Sequence, residues 1–267
     1  MKIVIKIGGS VIDKGIPETL IEDFSALRAH SICVIHGGGK TVTRISRLMG
    51  VEPKFITSPS GIRSRFTDEE AMDIYKMVMI GKINSDIVLA LNRSRIPAFG
   101  FSGLDGPTIF ANRKKKLIVL DGRDRKMVID GGMTGQVSKV DTFFISNFLD
   151  RGVIPVISPI AMSEEQEPLN IDADRAAASV AAALNADKLI MITDVDGLIR
   201  NGSVVNKARA EEIKEISGEV GNGMDKKLIF ATQALNEGVK EIVISNGYID
   251  KPLQNALNGK RRTVILK

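Results

Sequence analysis

Apolar positions along the chain fall into two alternating patterns. Ile3–Ile7, Ile32–Ile35, Val153–Ser158, Lys188–Ile192, Glu241–Ile244 and Thr263–Leu266 are short runs rich in β-branched residues, the length and composition of strands. Longer stretches of helical period lie between them, over Pro17–Arg28, Lys40–Met49, Asp141–Asp150, Ala173–Leu184, Ala208–Ile216 and Met224–Asn236. A further helical region reaches Arg93 and opens on Thr67-Asp68-Glu69-Glu70, which reads as a capping box with Thr67 as N-cap. Pro97–Val128 reads as short strands joined by turns. Strands alternating with helices need parallel crossovers, so the pattern predicts an α/β fold with a mostly parallel sheet covered on both faces. The Glu-rich loop Ser163–Pro168 marks the expected boundary between an N-terminal lobe (1–168) and a C-terminal lobe (169–267).

Composition narrows the class. With 43% hydrophobic and 26% charged residues the chain has ordinary globular usage, which excludes disorder. One cysteine and two histidines exclude a disulfide framework, a multi-thiolate metal site and a His-rich cluster. No apolar stretch reaches the roughly 18 residues that span a bilayer, and the start lacks a signal-peptide pattern. A cytoplasmic protein without a membrane partner is expected.

The net charge of +5 is unevenly placed. Between Asn92 and Lys139 there are ten basic residues against four acidic ones, with Arg113, Lys114, Lys115 and Lys116 in succession. Such a stretch is either a solvated face or a docking surface for an acidic partner. Its aromatics are only Phe99, Phe101 and Phe110, and the chain has no Trp, which argues against a base-stacking surface and a nucleic-acid partner.

In a parallel sheet, ligands bind where strand ends meet helix N-termini. Lys6-Ile7-Gly8-Gly9-Ser10 closes the first strand and His36-Gly37-Gly38-Gly39-Lys40 the second; glycines there let backbone amides approach an anion. The second segment is not a P-loop, because Val34 stands where that pattern needs glycine. His36 is read as structural. Phe99–Gly106 is either a plain turn or a substrate-facing loop. Asn170-Ile171-Asp172-Ala173-Asp174 sets three Asx residues before an Ala-rich helix, more than one cap requires. Thr193-Asp194-Val195-Asp196-Gly197 follows a strand, and Lys227 lies about one turn into a helix, where its charge opposes the macrodipole unless an anion is near.

Taken in order, Lys-x-Gly-Gly-Ser, His-Gly-Gly-Gly, Asn-x-Asp-Ala-Asp, Thr-Asp-Val-Asp-Gly and Gly-Met-x-x-Lys resemble the amino acid kinase family, within it the acetylglutamate kinase branch, from Lys2 to Lys267. The resemblance implies a three-layer αβα sandwich, an acyl substrate in the N-terminal lobe, ATP with its Mg²⁺ in the C-terminal lobe, and a homodimer built on N-lobe helices. It implies that a side-chain carboxylate is phosphorylated to an acyl phosphate. By motif, Lys6 and Lys227 would neutralise the transferring group and Asp174 would hold them. Gly8, Gly9 and Ser10 would meet phosphate oxygens, with Asp194 and Gly197 near the nucleotide. Gly38, Gly39, Arg65 and Asn170 would bind the substrate, Arg65 at its α-carboxylate. The protein itself would supply no metal site.

Asp172 and the segment Ser58–Arg65 depart from enzymes acting on free N-acetylglutamate. Together with the basic run Arg113–Lys116 they are similar to the branch whose substrate, α-aminoadipate or glutamate, hangs from an acidic carrier protein of the LysW type. The basic residues would then dock the carrier. Free N-acetylglutamate is the alternative substrate; a nucleotide or carbamate kinase, and a nucleic-acid-binding regulator, are more remote. The chemistry needs no general base, because a carboxylate nucleophile is already ionised at neutral pH. It needs alignment and positive charge.

Overall fold

Eight strands form the central sheet of the computed structural model, which describes residues 1–216 and 222–267. They are β1 (Lys2–Ile7), β2 (Ser31–His36), β3 (Ala98–Ser102), β4 (Ile154–Ser158), β5 (Lys188–Thr193), β6 (Lys207–Arg209), β7 (Glu241–Asn246) and β8 (Arg262–Leu266), in the order β6-β8-β7-β5-β1-β2-β4-β3. All pairings are parallel except β7 with β8, which run antiparallel. The fold is therefore the expected αβα sandwich with a mostly parallel sheet. Strands β1–β4 belong to the first 168 residues and β5–β8 to the remainder, and the two groups join where β1 pairs with β5. Ser163–Pro168 turns between two antiparallel strands, Ile160–Met162 and Pro168–Asn170, of a separate four-stranded sheet.

Period-two alternation divides the core. Ile3, Ile5 and Ile7 point into one buried cluster with Leu20, Phe24 and Val42; Val4 points into the other with Ala176, Ala177 and Ala181. Three helices matter for the site: α1 (Gly39–Leu48), α2 (Ala173–Ala183) and α3 (Asn222–Asn236). Ala176, Ala177, Ala178 and Ala181 of α2, with Ala231 and Ala234 of α3, are buried and let these helices approach the sheet and each other closely. Lys6 shares the face of Val4, so its ammonium emerges beneath α2.

Local expectations differ at four places. The cap at Glu69 is Asp68, whose side chain accepts from the Ala71 N–H at 3.0 Å, and not Thr67. Thr67 is buried because its hydroxyl accepts from Asn170. The long helix to Arg93 is interrupted by a π-helical stretch, Met77–Asn84. The start of the predicted helix at Ala208 is the edge strand β6, with the helix beginning at Ala210. A short helix, Pro252–Asn258, precedes β8. Gly221, the first residue of the Gly-Asn-Gly-Met segment, lies outside the described residues.

Candidate active site

The glycine-rich ends of β1 and β2 lie backbone to backbone. The Gly8 N–H donates to the Ile192 carbonyl and the Gly37 N–H to that of Ile7, each at 2.8 Å. A Cβ on Gly9 would stand 2.8 Å from the Gly38 nitrogen, and one on Gly37 would stand 2.7 Å from the Gly9 nitrogen. No side chain fits at either place. Since Gly8 spends its amide on Ile192, the amides of Gly9 and Ser10, which open a short helix, are the ones without an intrahelical acceptor. The π-helical stretch closes on the same point: a Cβ on Gly38 would meet Ile83 Cδ1 at 2.2 Å and Met79 Sδ at 2.8 Å.

Beside these loops, Asp174 in the first turn of α2 takes both lysines. Lys6 Nζ is 2.7 Å from Oδ1 and Lys227 Nζ is 3.0 Å from Oδ2. Burial alone would raise the Asp174 pKa, but the two ammonium groups outweigh it and hold it down at about 2. Burial lowers the Lys6 pKa, offset in part by Asp174, with the charge of Lys227 acting in the same direction as burial. Lys227 is also penalised by burial, yet Asp174 keeps its pKa above the usual lysine value. Asp172 caps α2 by accepting from the Asp174 and Arg175 N–H groups at 2.9 and 3.3 Å.

Two cavities flank the triad. One, of about 360 Å³, is lined by Ser10, Asp194, Gly197, Met224 and Lys227. Gly197 has φ +157, and a Cβ there would sit 2.5 Å from Thr263 Oγ1, so glycine is required. The other, of about 490 Å³, is lined by Arg65, Lys114, Asn170, Asp172, Arg175 and Lys226 among others. Adjacent residues Lys226 and Lys227 face different cavities, which puts the triad at their junction. Arg65 reaches the second cavity from the edge of a hairpin, anchored by donating to the Gly39 carbonyl and to Thr43 Oγ1 at 2.9 and 2.5 Å. Asn170 Nδ2 donates to Thr67 Oγ1 at 2.9 Å, fixing its amide at the cavity wall.

The basic run does not act as one group. Arg113 is committed internally, donating to the Gly132 carbonyl and pairing with Glu167 at 3.1 Å. Lys114 turns into the larger cavity; burial lowers its pKa, and the nearby charges of Arg175 and Lys226 act in the same direction. Lys115 and Lys116 are exposed at the base of a hairpin, Lys116–Leu120 with Lys126–Asp130. His36 is fully buried: its Nδ1–H donates to the Gly37 carbonyl at 2.9 Å, and Nε2 faces Ser158 Oγ and Asn84 Nδ2. Burial lowers its pKa to about 4, so it is neutral. The Phe99–Gly106 segment ends in a turn closed by Asp105, which accepts from Ser102 N and Oγ.

Sequence reasoning missed three residues. Tyr248 donates its hydroxyl to the Ser10 carbonyl at 2.7 Å and so braces the loop from β7. Tyr75 is buried close enough to Arg65 and Asp172 to feel both charges. Arg175 lines the larger cavity; it opens α2 with a charge that opposes the helix dipole, the same signal that singled out Lys227.

The profile of the Amino acid kinase family matches residues 1–246. A chain from Nitrosopumilus maritimus is 48% identical over 263 residues, 98% of both chains. A LysW-aminoadipate/LysW-glutamate kinase from Sulfurisphaera tokodaii is 43% identical over 265 residues, covering 99% of this chain and 100% of its own. Among solved structures, N-acetylglutamate synthase from Neisseria gonorrhoeae, complexed with coenzyme A and N-acetyl-glutamate, superimposes with a TM-score of 0.82 at 26% identity; the match covers all of this chain and 59% of that one. Giardia carbamate kinase, at 17% identity and a TM-score of 0.69, shares the fold. With its paired glycine loops and its Lys–Asp–Lys triad between two cavities, this chain belongs to the amino acid kinase family.

Proposed function

We propose that the protein transfers the γ-phosphoryl group of ATP to the side-chain carboxylate of an α-N-acylated acidic amino acid, glutamate or α-aminoadipate, carried by an acidic LysW-type protein. The observation that carries this is the triad: two buried ammonium groups fixed on one carboxylate at the junction of two cavities. Phosphoryl transfer between anions needs fixed positive charge and alignment more than proton transfer. The neutral, buried His36 is consistent with a site that uses no general base. The relatives named as LysW-aminoadipate/LysW-glutamate kinases match over nearly their whole length, which supports the carrier-linked acceptor.

In this reading ATP occupies the cavity of Ser10, Asp194 and Gly197, and the amides of Gly9 and Ser10 meet its phosphates. Lys6 and Lys227 contact the transferring group while Asp174 holds their spacing. The acceptor occupies the larger cavity, with its α-carboxylate on Arg65 and its amide edge on Asn170; Gly38 and Gly39 shape the wall between the two. Residues 1–168 provide the acceptor side and 169–267 the nucleotide side of a homodimer. Among the described residues no cluster of three or more His, Cys, Asp or Glu side chains is placed to cage an ion, so the phosphates of ATP would hold Mg²⁺, with Asp194 as the nearest carboxylate lining that cavity. Bound there, Mg²⁺ supplies further neutralisation of phosphate charge. Lys115 and Lys116 attract the carrier. No helix among the described residues is long and apolar enough to cross a membrane.

The test is acyl-phosphate formation, trapped with hydroxylamine, from ATP with the carrier-linked acceptor and with free N-acetylglutamate. Turnover of the carrier-linked acceptor at the higher kcat/KM is expected. High turnover of free N-acetylglutamate alone would make this an enzyme of the free-substrate branch.

A further inference from the structure

The larger cavity holds more positive charge than an acceptor with two carboxylates uses. Arg65, Lys114, Arg175 and Lys226 line it against one acidic residue, Asp172. Asp172 is already engaged by the α2 amides and lies 3.8 Å from Lys226. In the function proposed above, the reacting carboxylate meets the phosphoryl group that Lys6 and Lys227 contact, and the α-carboxylate belongs to Arg65. Acylation removes the charge of the acceptor's α-nitrogen, and a neutral acyl group such as acetyl brings no anion of its own. Lys114 and Arg175 are then left without a counter-charge.

Arg175 is the more telling of the two. Its Nε is buried without a hydrogen-bond partner, an arrangement native structures seldom leave unexplained. Its guanidinium carbon lies 5.9 Å from the centre of the Phe230 ring, which backs the group on the cavity wall. It also places positive charge in the first turn of α2, where the helix dipole disfavours it. A planar guanidinium with open donors and an apolar backing suits a carboxylate, which it can take in two parallel bonds.

We propose that Arg175 binds a third carboxylate of the acceptor, one borne by the group that acylates its α-nitrogen, and thereby selects acidic acyl groups over neutral ones. This rests on the reading of the site as a carboxylate kinase and names the feature of its substrate that the cavity recognises. Arg175 is a specificity-determining residue here; Lys114, at the opening of the same cavity, adds charge without directionality.

The test uses small acceptors. Glutamate and α-aminoadipate are acylated on the α-nitrogen by N-acetylglutamate, through either of its carboxyls, with the remaining carboxyl left free or converted to its amide. For the wild-type protein, kcat/KM is expected to favour the free-carboxylate form over the amide at least fivefold in one linkage isomer, chiefly through KM. Arg175→Gln is expected to bring that ratio below fivefold, a change that a merely structural loss, falling equally on both forms, would not produce. A wild-type ratio below fivefold in both isomers overturns the proposal without need of any variant. A ratio that survives in Arg175→Gln overturns the assignment to this residue. If the wild type phosphorylates no α-N-acylated acceptor at all, the kinase reading itself falls, and this inference with it.

Discussion

Asp174 shows how one side chain can set both the charge and the stability of the site. Its carboxylate separates two ammonium groups that would otherwise repel each other in a buried space. Replacing Lys6 or Lys227 with Ala is expected to lower kcat by at least about 100-fold, the scale of removing a charge-stabilising donor, in steady-state assays. The pKa of Asp174, held near 2 against an ordinary 3.8, makes the triad a source of stability above about pH 4 that is lost as pH falls toward 2. Asp174→Asn should therefore flatten the fall in unfolding free energy between those values, measured by urea titration. His36 behaves similarly for a different reason. Burial lowers its pKa to about 4, so between 6.5 and 4 the unfolded chain binds the proton and the folded one does not. Stability should decline across that window as pH falls, by up to about 1.4 kcal/mol per pH unit. His36→Gln should remove that slope, while the pH dependence of kcat shows no limb from this residue.

Among the elements, those that frame the site are legible because their signals are local. β1, β2 and β5 are apolar runs followed by Gly or Asp, and α2 is announced by its Asx cluster and alanines. The π-helical stretch Met77–Asn84 left no such mark, because its residues look helical in either winding. Its consequence is tertiary: it delivers Asn84 to the Val156 carbonyl at 2.8 Å, the Phe101 carbonyl at 3.4 Å and His36 at 3.3 Å. Asn84→Ala should cost about 1–3 kcal/mol in urea unfolding, since it strips buried acceptors of their donor. β6 was hidden because three residues are too few to show alternation, and helix Pro252–Asn258 because it is barely two turns. Thr67 and Asp68 are both good caps, so the sequence could not say which one Asn170 would claim from across the fold. The dipole argument that singles out Lys227 in the sequence applies equally to Arg175, in the first turn of α2.

At the scale of the molecule, the basic run Arg113–Lys116 is spread over three environments. Arg113 holds the loop before Pro168, Lys114 lines the cavity, and Lys115 and Lys116 are exposed, where in the proposed function they attract the carrier. A Lys115→Glu, Lys116→Glu double variant should raise KM for carrier-linked acceptor through slower association, with kcat little changed. The difference from wild type should shrink as salt rises from about 50 to 300 mM, because the Debye length shortens. Stopped-flow association rates at several salt concentrations check this.

The Gly8–Gly9 and Gly37–Gly38 loops, which follow the neighbouring strands β1 and β2, meet backbone to backbone at the site. Because backbone touches backbone there, the interval between the two loops is gauged by fixed van der Waals radii and not by side-chain rotamers, and in the function proposed above that interval spaces the phosphates from the acceptor. A single methyl group would act as a shim. Gly9→Ala is accordingly expected to depress kcat more than it weakens either substrate, since the reactants would still bind but would face each other across too wide a gap.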